Sequence, residues 1–169
     1  PACRPGCDRT GRRSSEMPTT GERALIRNHL EVSRSVLEAF TTGNFDVYDE
    51  VLAPDFVDHD PQSPFAAARR GPQLMRATAI LYRTAFPDLV VVIEAQYEAG
   101  DVIITRWTVS GTQTGGLPGL PPTRKRVAVS GVQIDRFKDD TIVESWRYWD
   151  TLGMLQQLGA VATPRAPTD

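Results

Sequence analysis

The feature that most constrains this chain is a change of period near Leu89. Before it, apolar residues recur at three- and four-residue steps; after it they alternate with polar ones. Leu25, Ile26, His29, Leu30, Val36, Leu37 and Phe40 fall on one side of a long amphipathic helix from Gly21 to Gly43, with Gly43 as terminator. Phe45 to Leu52 reads as a second, short helix with Asn44 as N-cap and Pro54 ending it. Asp55 to Pro61 is a short extended segment, and Gln62 to Gly71 a loop. Pro72 suits the first turn of a third helix running to about Phe86, with Leu74, Met75, Thr78, Leu81, Tyr82 and Ala85 inward.

Four strands follow: Leu89 to Tyr97, Val102 to Thr112, Lys125 to Phe137 and Thr141 to Trp149. Ala99-Gly-Asp101 and Lys138-Asp-Asp140 are their turns, and Gly115-Gly-Leu-Pro-Gly-Leu-Pro-Pro122 is a loop dense in glycine and proline. Thr151 to Leu158 closes as a short helix stopped by Gly159. Helices first and strands second predict an α+β domain, with helices on one face of a curved antiparallel sheet.

A formal net charge of −2 argues against nucleic acid or an anionic membrane as partner, and no apolar run approaches the roughly 20 residues that span a bilayer. No secretory signal pattern is seen. Cys3 and Cys7 form a C-x3-C pair too sparse for a metal site, and the rest of the chain has no cysteine, which fits a reducing cytoplasm. Residues 1–20 are expected to be a flexible extension with Met17 as the natural start, residues 21–160 the folded domain, and residues 161–169 an irregular tail. No glycine-rich phosphate loop follows a strand, and there is no G-x-S-x-G; catalysis, where present, is expected to be proton transfer without a metal.

Three constellations carry polar groups toward such chemistry. Asp150 ends the last strand among Trp146, Tyr148 and Trp149, where desolvation raises a carboxyl pKa toward the range useful for proton transfer. The same residue would also cap the helix that starts at Thr151. In Asp58-His59-Asp60, an imidazole can donate or accept a proton and a neighbouring acid can orient its ring; the alternative is a surface turn before Pro61. Gln133 and Asp135 share one face of their strand, as do Glu144, Trp146, Tyr148 and Asp150 of the next. If both faces look into one concavity, carboxylates and an amide converge there; otherwise they form a solvent-facing sheet surface. Of Arg106 and Trp107, only one points inward, and Trp107 is the expected one.

Several of these runs resemble one family. They are Phe56-Val-Asp-His-Asp-Pro61, Ala85-Phe-Pro-Asp-Leu89, Arg106-Trp-Thr-Val-Ser-Gly111 and Gly131-Val-Gln-Ile-Asp-Arg-Phe137, then Ile142-Val-Glu-Ser-Trp-Arg-Tyr-Trp-Asp-Thr-Leu-Gly-Met-Leu-Gln-Gln-Leu-Gly159. Together, over roughly Glu22 to Gly159, they resemble the SnoaL-like polyketide cyclases. The resemblance implies the cone-shaped α+β barrel shared with ketosteroid isomerase, in which a bent sheet wraps a pocket closed by the N-terminal helices. It also implies a cofactor-free intramolecular aldol closure of an anthracycline-type polyketide.

On the same resemblance Asp150 takes the place of the acid/base and Gln133 matches one of the family's polar pair, expected to orient a substrate oxygen; His59 and Asp135 are expected to assist. Trp107, Trp146, Tyr148 and Phe56 are the aromatic walls for a flat polycycle. Asp135 stands where the family's cyclases are expected to carry histidine, so a second branch weighs as much: hydroxylase-type members that work with a reductase partner. Two further readings stay open. One is a non-catalytic binding module. The other is epoxide opening by activated water, which needs an Asp–Arg–Asp grouping for which Arg106 and Arg136 offer no firm match. A homodimer or higher homo-oligomer through an apolar outer sheet face is expected as well.

Overall fold

The structure, a computed structural model, describes residues 28–63, 65 and 70–162. The expectations for residues 1–20, for Cys3, Cys7 and Met17, for the first turns of the long helix and for most of the C-terminal tail lie outside the described residues.

The elements run α1 (His29–Thr42), α2 (Val47–Val51), β1 (Leu52–Asp58), α3 (Pro72–Ala85), β2 (Val90–Ala99), β3 (Val102–Thr112), β4 (Arg126–Lys138), β5 (Thr141–Trp149) and α4 (Thr151–Leu158). The fold is α+β, as the change of period predicts. Among the described residues no helix is long and apolar enough to cross a membrane.

Local chemistry sets the helix ends. The Asn28 side chain accepts from the Leu30 N–H at 3.0 Å, and Gly43 ends α1 in the left-handed region with φ 77°, its N–H bonded to Ala39 O. Val32, Val36 and Ala39 make the buried stripe. α2 is shorter than expected and starts from Asp46, not Asn44. Gly71 precedes α3 with φ +66°, and its N–H bonds to Phe56 O at 2.9 Å. Pro72 then opens the helix.

The sheet order is β1-β5-β4-β3-β2. The last four strands pair antiparallel, as expected. β1, read from sequence only as a short extended segment, adds parallel to β5 at the edge. The sheet is therefore mixed and does not close into a full barrel.

One irregularity governs what faces inward. Along β4 and β5, Arg136 pairs with Glu144 but Phe137 pairs with Ile142, so Val143 is an extra residue. This β-bulge shifts the side-chain phase of β5 by one. Ile142 is buried, and beyond the bulge Ser145 and Arg147 are the buried ones, not their even-numbered neighbours.

Two apolar clusters fill the concave side. Tyr48, Phe56, Leu74, Met75, Ile103, Phe137 and Ile142 belong to the first. Ala85, Phe86, Leu89, Val127, Val129, Met154 and Leu158 make the second. Buried polar residues of adjacent strands lie across the same face: Thr105, Gln133, Asp135, Ser145 and Arg147.

Gly71 tests how the corner before α3 is built. A Cβ there would lie 2.3 Å from the Pro54 carbonyl oxygen, in a backbone conformation that side chains avoid. Gly71→Ala is expected to cost about 1–3 kcal/mol in urea unfolding. An unchanged midpoint would show that the corner is not fixed as described.

Candidate active site

The bulge decides which sequence candidates meet. Glu144, Trp146 and Tyr148 do share a face, but it is the outer one; Tyr148 is 57% exposed. His59 lies with them. Its ring stacks on Trp146 with centroids 4.8 Å apart, and its Nε2 is 3.7 Å from Glu144, which also holds Arg136 at 2.8 Å. Asp150 is exposed and caps α4, its Oδ1 accepting from the Gly153 N–H at 2.7 Å. The expectation that Asp150, His59, Trp146 and Tyr148 look into the hollow is therefore corrected. The even-numbered face of β5 turns outward, and the capping reading of Asp150 describes its contacts.

Trp107, Gln133, Asp135 and Phe56 are buried on the concave side. Of these only Trp107 lines the hollow. Phe56 is part of the first apolar cluster.

Asp135 lies beneath, fully buried. It accepts from Ser33 Oγ at 2.5 Å, from Ser145 Oγ and from Gln133 Nε2 at 2.8 Å. Ser33 also meets Thr105, which receives a bond from Gln96. Loss of solvation pushes the Asp135 pKa up, against the pull of these donors. The network fixes Gln133, whose Oε1 has no partner among the described residues.

The hollow itself is about 90 Å³ and mostly apolar, with side chains such as Leu37, Phe86, Val109 and Val129 on its walls. Its polar groups include Asp60, Thr78, Tyr82 and Arg147, none of which the sequence alone singled out for a role in the site. The corner after β1 brings the two aspartates to Arg147. Asp58 Oδ1 accepts from the Asp60 N–H at 3.1 Å, and Asp60 Oδ1 accepts from the Gln62 N–H at 2.8 Å. These are two Asx turns in succession, the usual local use of such residues.

Arg147 is 5% exposed and stands between them. Its Nη2 donates to Asp58 Oδ2, its Nη1 lies 3.2 Å from Met75 Sδ, and its Nε is 3.7 Å from Asp60 Oδ2. Both Nε of Arg147 and Nε1 of Trp107 are buried without a hydrogen-bond partner among the described residues. Two donors thus stand unused by protein in side chains that line the hollow.

Electrostatics separates the roles. Burial alone would pull the Arg147 pKa down, but Asp58 and then Asp60 more than restore it, so the guanidinium stays charged. Burial pushes the Asp60 pKa above the ordinary carboxylate range, with Arg147 opposing only in part. Tyr82 is pushed up to about 12 by burial, reinforced by the charge of Asp60. A buried carboxyl with a raised pKa, a fixed cation and donors without hydrogen-bond partners therefore face one small apolar space.

Sequence reasoning weighed Asp60 only as a neighbour of His59 and passed over Arg147. The Asp-x-Asp spacing before Pro61 was the signal for the first; the second was hidden by the bulge.

Comparison with known proteins agrees with this fold. The sequence profile of the SnoaL-like polyketide cyclases matches residues 30–158. The chain belongs to that family. Nogalonic acid methyl ester cyclase from Streptomyces nogalater is 28% identical over 125 residues, 73% of this chain and 92% of that protein. Among solved structures, TsrD from Streptomyces laurentii superposes with TM-score 0.71 at 27% identity, covering 79% of this chain and 96% of its own. IdmH from Streptomyces antibioticus, a candidate polyketide cyclase, gives 0.66 at 28% identity, covering 77% and 97%.

The buried ion pair makes a stability prediction. Arg147→Met leaves Asp58 charged and unpaired, which should cost about 3–5 kcal/mol in urea unfolding. Adding Asp58→Asn keeps the turn geometry, removes the stranded charge and should recover part of that loss. If the double variant is no more stable than the single, the pair does not carry the cost.

Proposed function

We propose that this protein is a polyketide cyclase that closes a ring of an anthracycline-type aromatic polyketide by acid/base catalysis, with Asp60 as the working carboxyl. The observation that carries this reading is Asp60 itself, a buried carboxyl with a raised pKa lining an apolar hollow beside Arg147. Family membership and the nogalonic acid methyl ester cyclase relative support the reaction class.

The chemistry asks little beyond proton transfer. The carbon between two carbonyls is already acidic. The Asp60 carboxylate takes its proton, and the enolate carbon attacks a carbonyl carbon of the same molecule. The new alkoxide takes the proton back from the Asp60 acid, so nothing is gained or lost. Arg147, with Nε unpaired, and Trp107, with its free indole N–H, are placed to receive the enolate oxygen. Holding both ends of the substrate together can supply roughly 7–11 kcal/mol of barrier lowering. Asp58 is a positioning residue, acting through Arg147.

A second reading is favoured by one specific observation. Asp58, Arg147 and Asp60 are an Asp–Arg–Asp grouping, the arrangement that epoxide opening by water requires. There, one carboxylate takes a proton from water while the other, as acid, gives one to the epoxide oxygen. The product is heavier by one water, whereas aldol closure leaves the mass unchanged. Hydroxylation would add one oxygen and depend on a reductase and NADPH. Mass spectrometry of the reaction of a tricyclic methyl ester separates the three.

In the cyclisation assay Asp60→Asn is expected to lower kcat by about 10²–10⁴-fold, while Asp150→Asn keeps turnover. The acid limb of the rate profile should lie above the ordinary aspartate value of about 3.9, because the base works only after losing its proton at a raised pKa. Full activity in Asp60→Asn refutes the assignment.

A further inference from the structure

A second space lies next to the first. It is about 180 Å³, bounded by Gln62, Leu81, Leu117, Leu120 and Leu155. Tyr82, Trp149 and Met154 line both spaces and so form the partition between them. The Tyr82 and Trp149 rings meet edge to face, 6.1 Å apart at 85°.

The outer wall is a built feature. It comes from the glycine- and proline-rich segment between β3 and β4. The Gln113 side chain is fully buried; it accepts from the Thr123 N–H at 3.0 Å and hydroxyl at 2.7 Å and donates to Pro121 O at 3.3 Å. Thr114 and Gly115 both donate to Ala85 O at 3.0 Å. A Cβ at Gly115 would lie 2.2 Å from Thr84 O, so the segment is tied closely to the end of α3. Leu117 and Leu120 pair across its tip at 2.9 Å. These bonds hold two leucines beside an unfilled space.

The partition, by contrast, is held on one side only, where the Trp149 side chain hydrogen-bonds to Asp60. The Tyr82 hydroxyl has no hydrogen-bond partner among the described residues. Met154 is an unbranched thioether that repacks readily. Size gives the reason for it to move. Ligand pockets usually measure about 300–1,000 Å³. Neither space reaches that range alone, and the two joined approach its lower end.

We propose that the substrate occupies both spaces at once, its reacting end against Asp60 and Arg147 and its remaining rings between the Leu117–Leu120 tip and α4, with Tyr82 and Met154 turned aside. The ligand class is a flat, linearly fused polycycle of at least three rings, oxygenated at the inner end. This rests on the reading of the inner hollow as the reactive one and extends it by a subsite built from Leu117, Leu120 and Leu155.

The test is equilibrium dialysis of two probes followed by their own absorbance: 6,11-dihydroxy-5,12-naphthacenequinone, with four fused rings, and 2-acetyl-1-naphthol, with two. Leu120→Trp fills the outer space. It is expected to weaken the four-ring probe by at least about 10-fold and the two-ring probe by less than about 2-fold, the scale set by filling or emptying an apolar pocket. Leu155→Phe is the second variant, used should Leu120→Trp fail to fold by circular dichroism. Equal weakening of both probes, an unchanged four-ring affinity, or no four-ring binding to the unsubstituted chain overturns the proposal. Turnover does not enter this measurement, so a failure of Asp60 as the base would leave these affinities standing.

Discussion

The buried Arg147 cation is the interaction on which the rest of this structure depends. It lies on the concave face between the two apolar clusters and is held there by Asp58, with Asp60 alongside. Taking such charges out of water is costly, and a well-packed apolar replacement is often as stable or more so. What the arrangement does supply is a permanent positive charge lining an apolar hollow, with Nε unspent. It also gives the two aspartates different tasks. Asp58 is hydrogen-bonded to the guanidinium; Asp60 is farther off, and burial raises its pKa.

The fold serves this centre through a single extra residue. Without Val143 as a bulge, Ile142 and the inward face of β5 would continue through Glu144, Trp146 and Tyr148. With it, Ser145 stands opposite Asp135 and Arg147 opposite Gln133, so the polar side chains of both strands meet on one face. Gly131 serves the same end. Its missing Cβ leaves room for the Trp107 ring, whose Cζ2 would be 2.5 Å from a side chain there. The indole sits against Gly131 of β4 and reaches the hollow.

Most of the fold was legible in the sequence, and the reason is local. The strands Val102–Thr112 and Thr141–Trp149 and the helix Thr151–Leu158 end where glycine, aspartate or proline signals put them. α3 begins at Pro72 as its sequence demands. The parallel strand β1 was not legible as such, because its pairing with β5 depends on contacts far apart along the chain. The site was legible only in part. Trp107 was expected inward and is buried there, and Gln133 and Asp135 share one face as read, since β3 and β4 pair without a register shift. On β5 strict alternation selected the wrong face, because a bulge leaves no mark in a sequence whose aromatic residues fit either side. Asp150 then satisfied a capping pattern and an expected catalytic position at once, and only the first describes its contacts.

The central claim, that the reactive carboxyl is Asp60 inside the hollow, is tested most directly by carboxyl carbon NMR of aspartate-labelled protein. The account predicts that the Asp60 signal titrates above the ordinary value of about 3.9 and shifts when a hydroxyquinone is added. An Asp60 signal that titrates in the ordinary range and ignores the ligand, with Asp150 responding in its place, would contradict it.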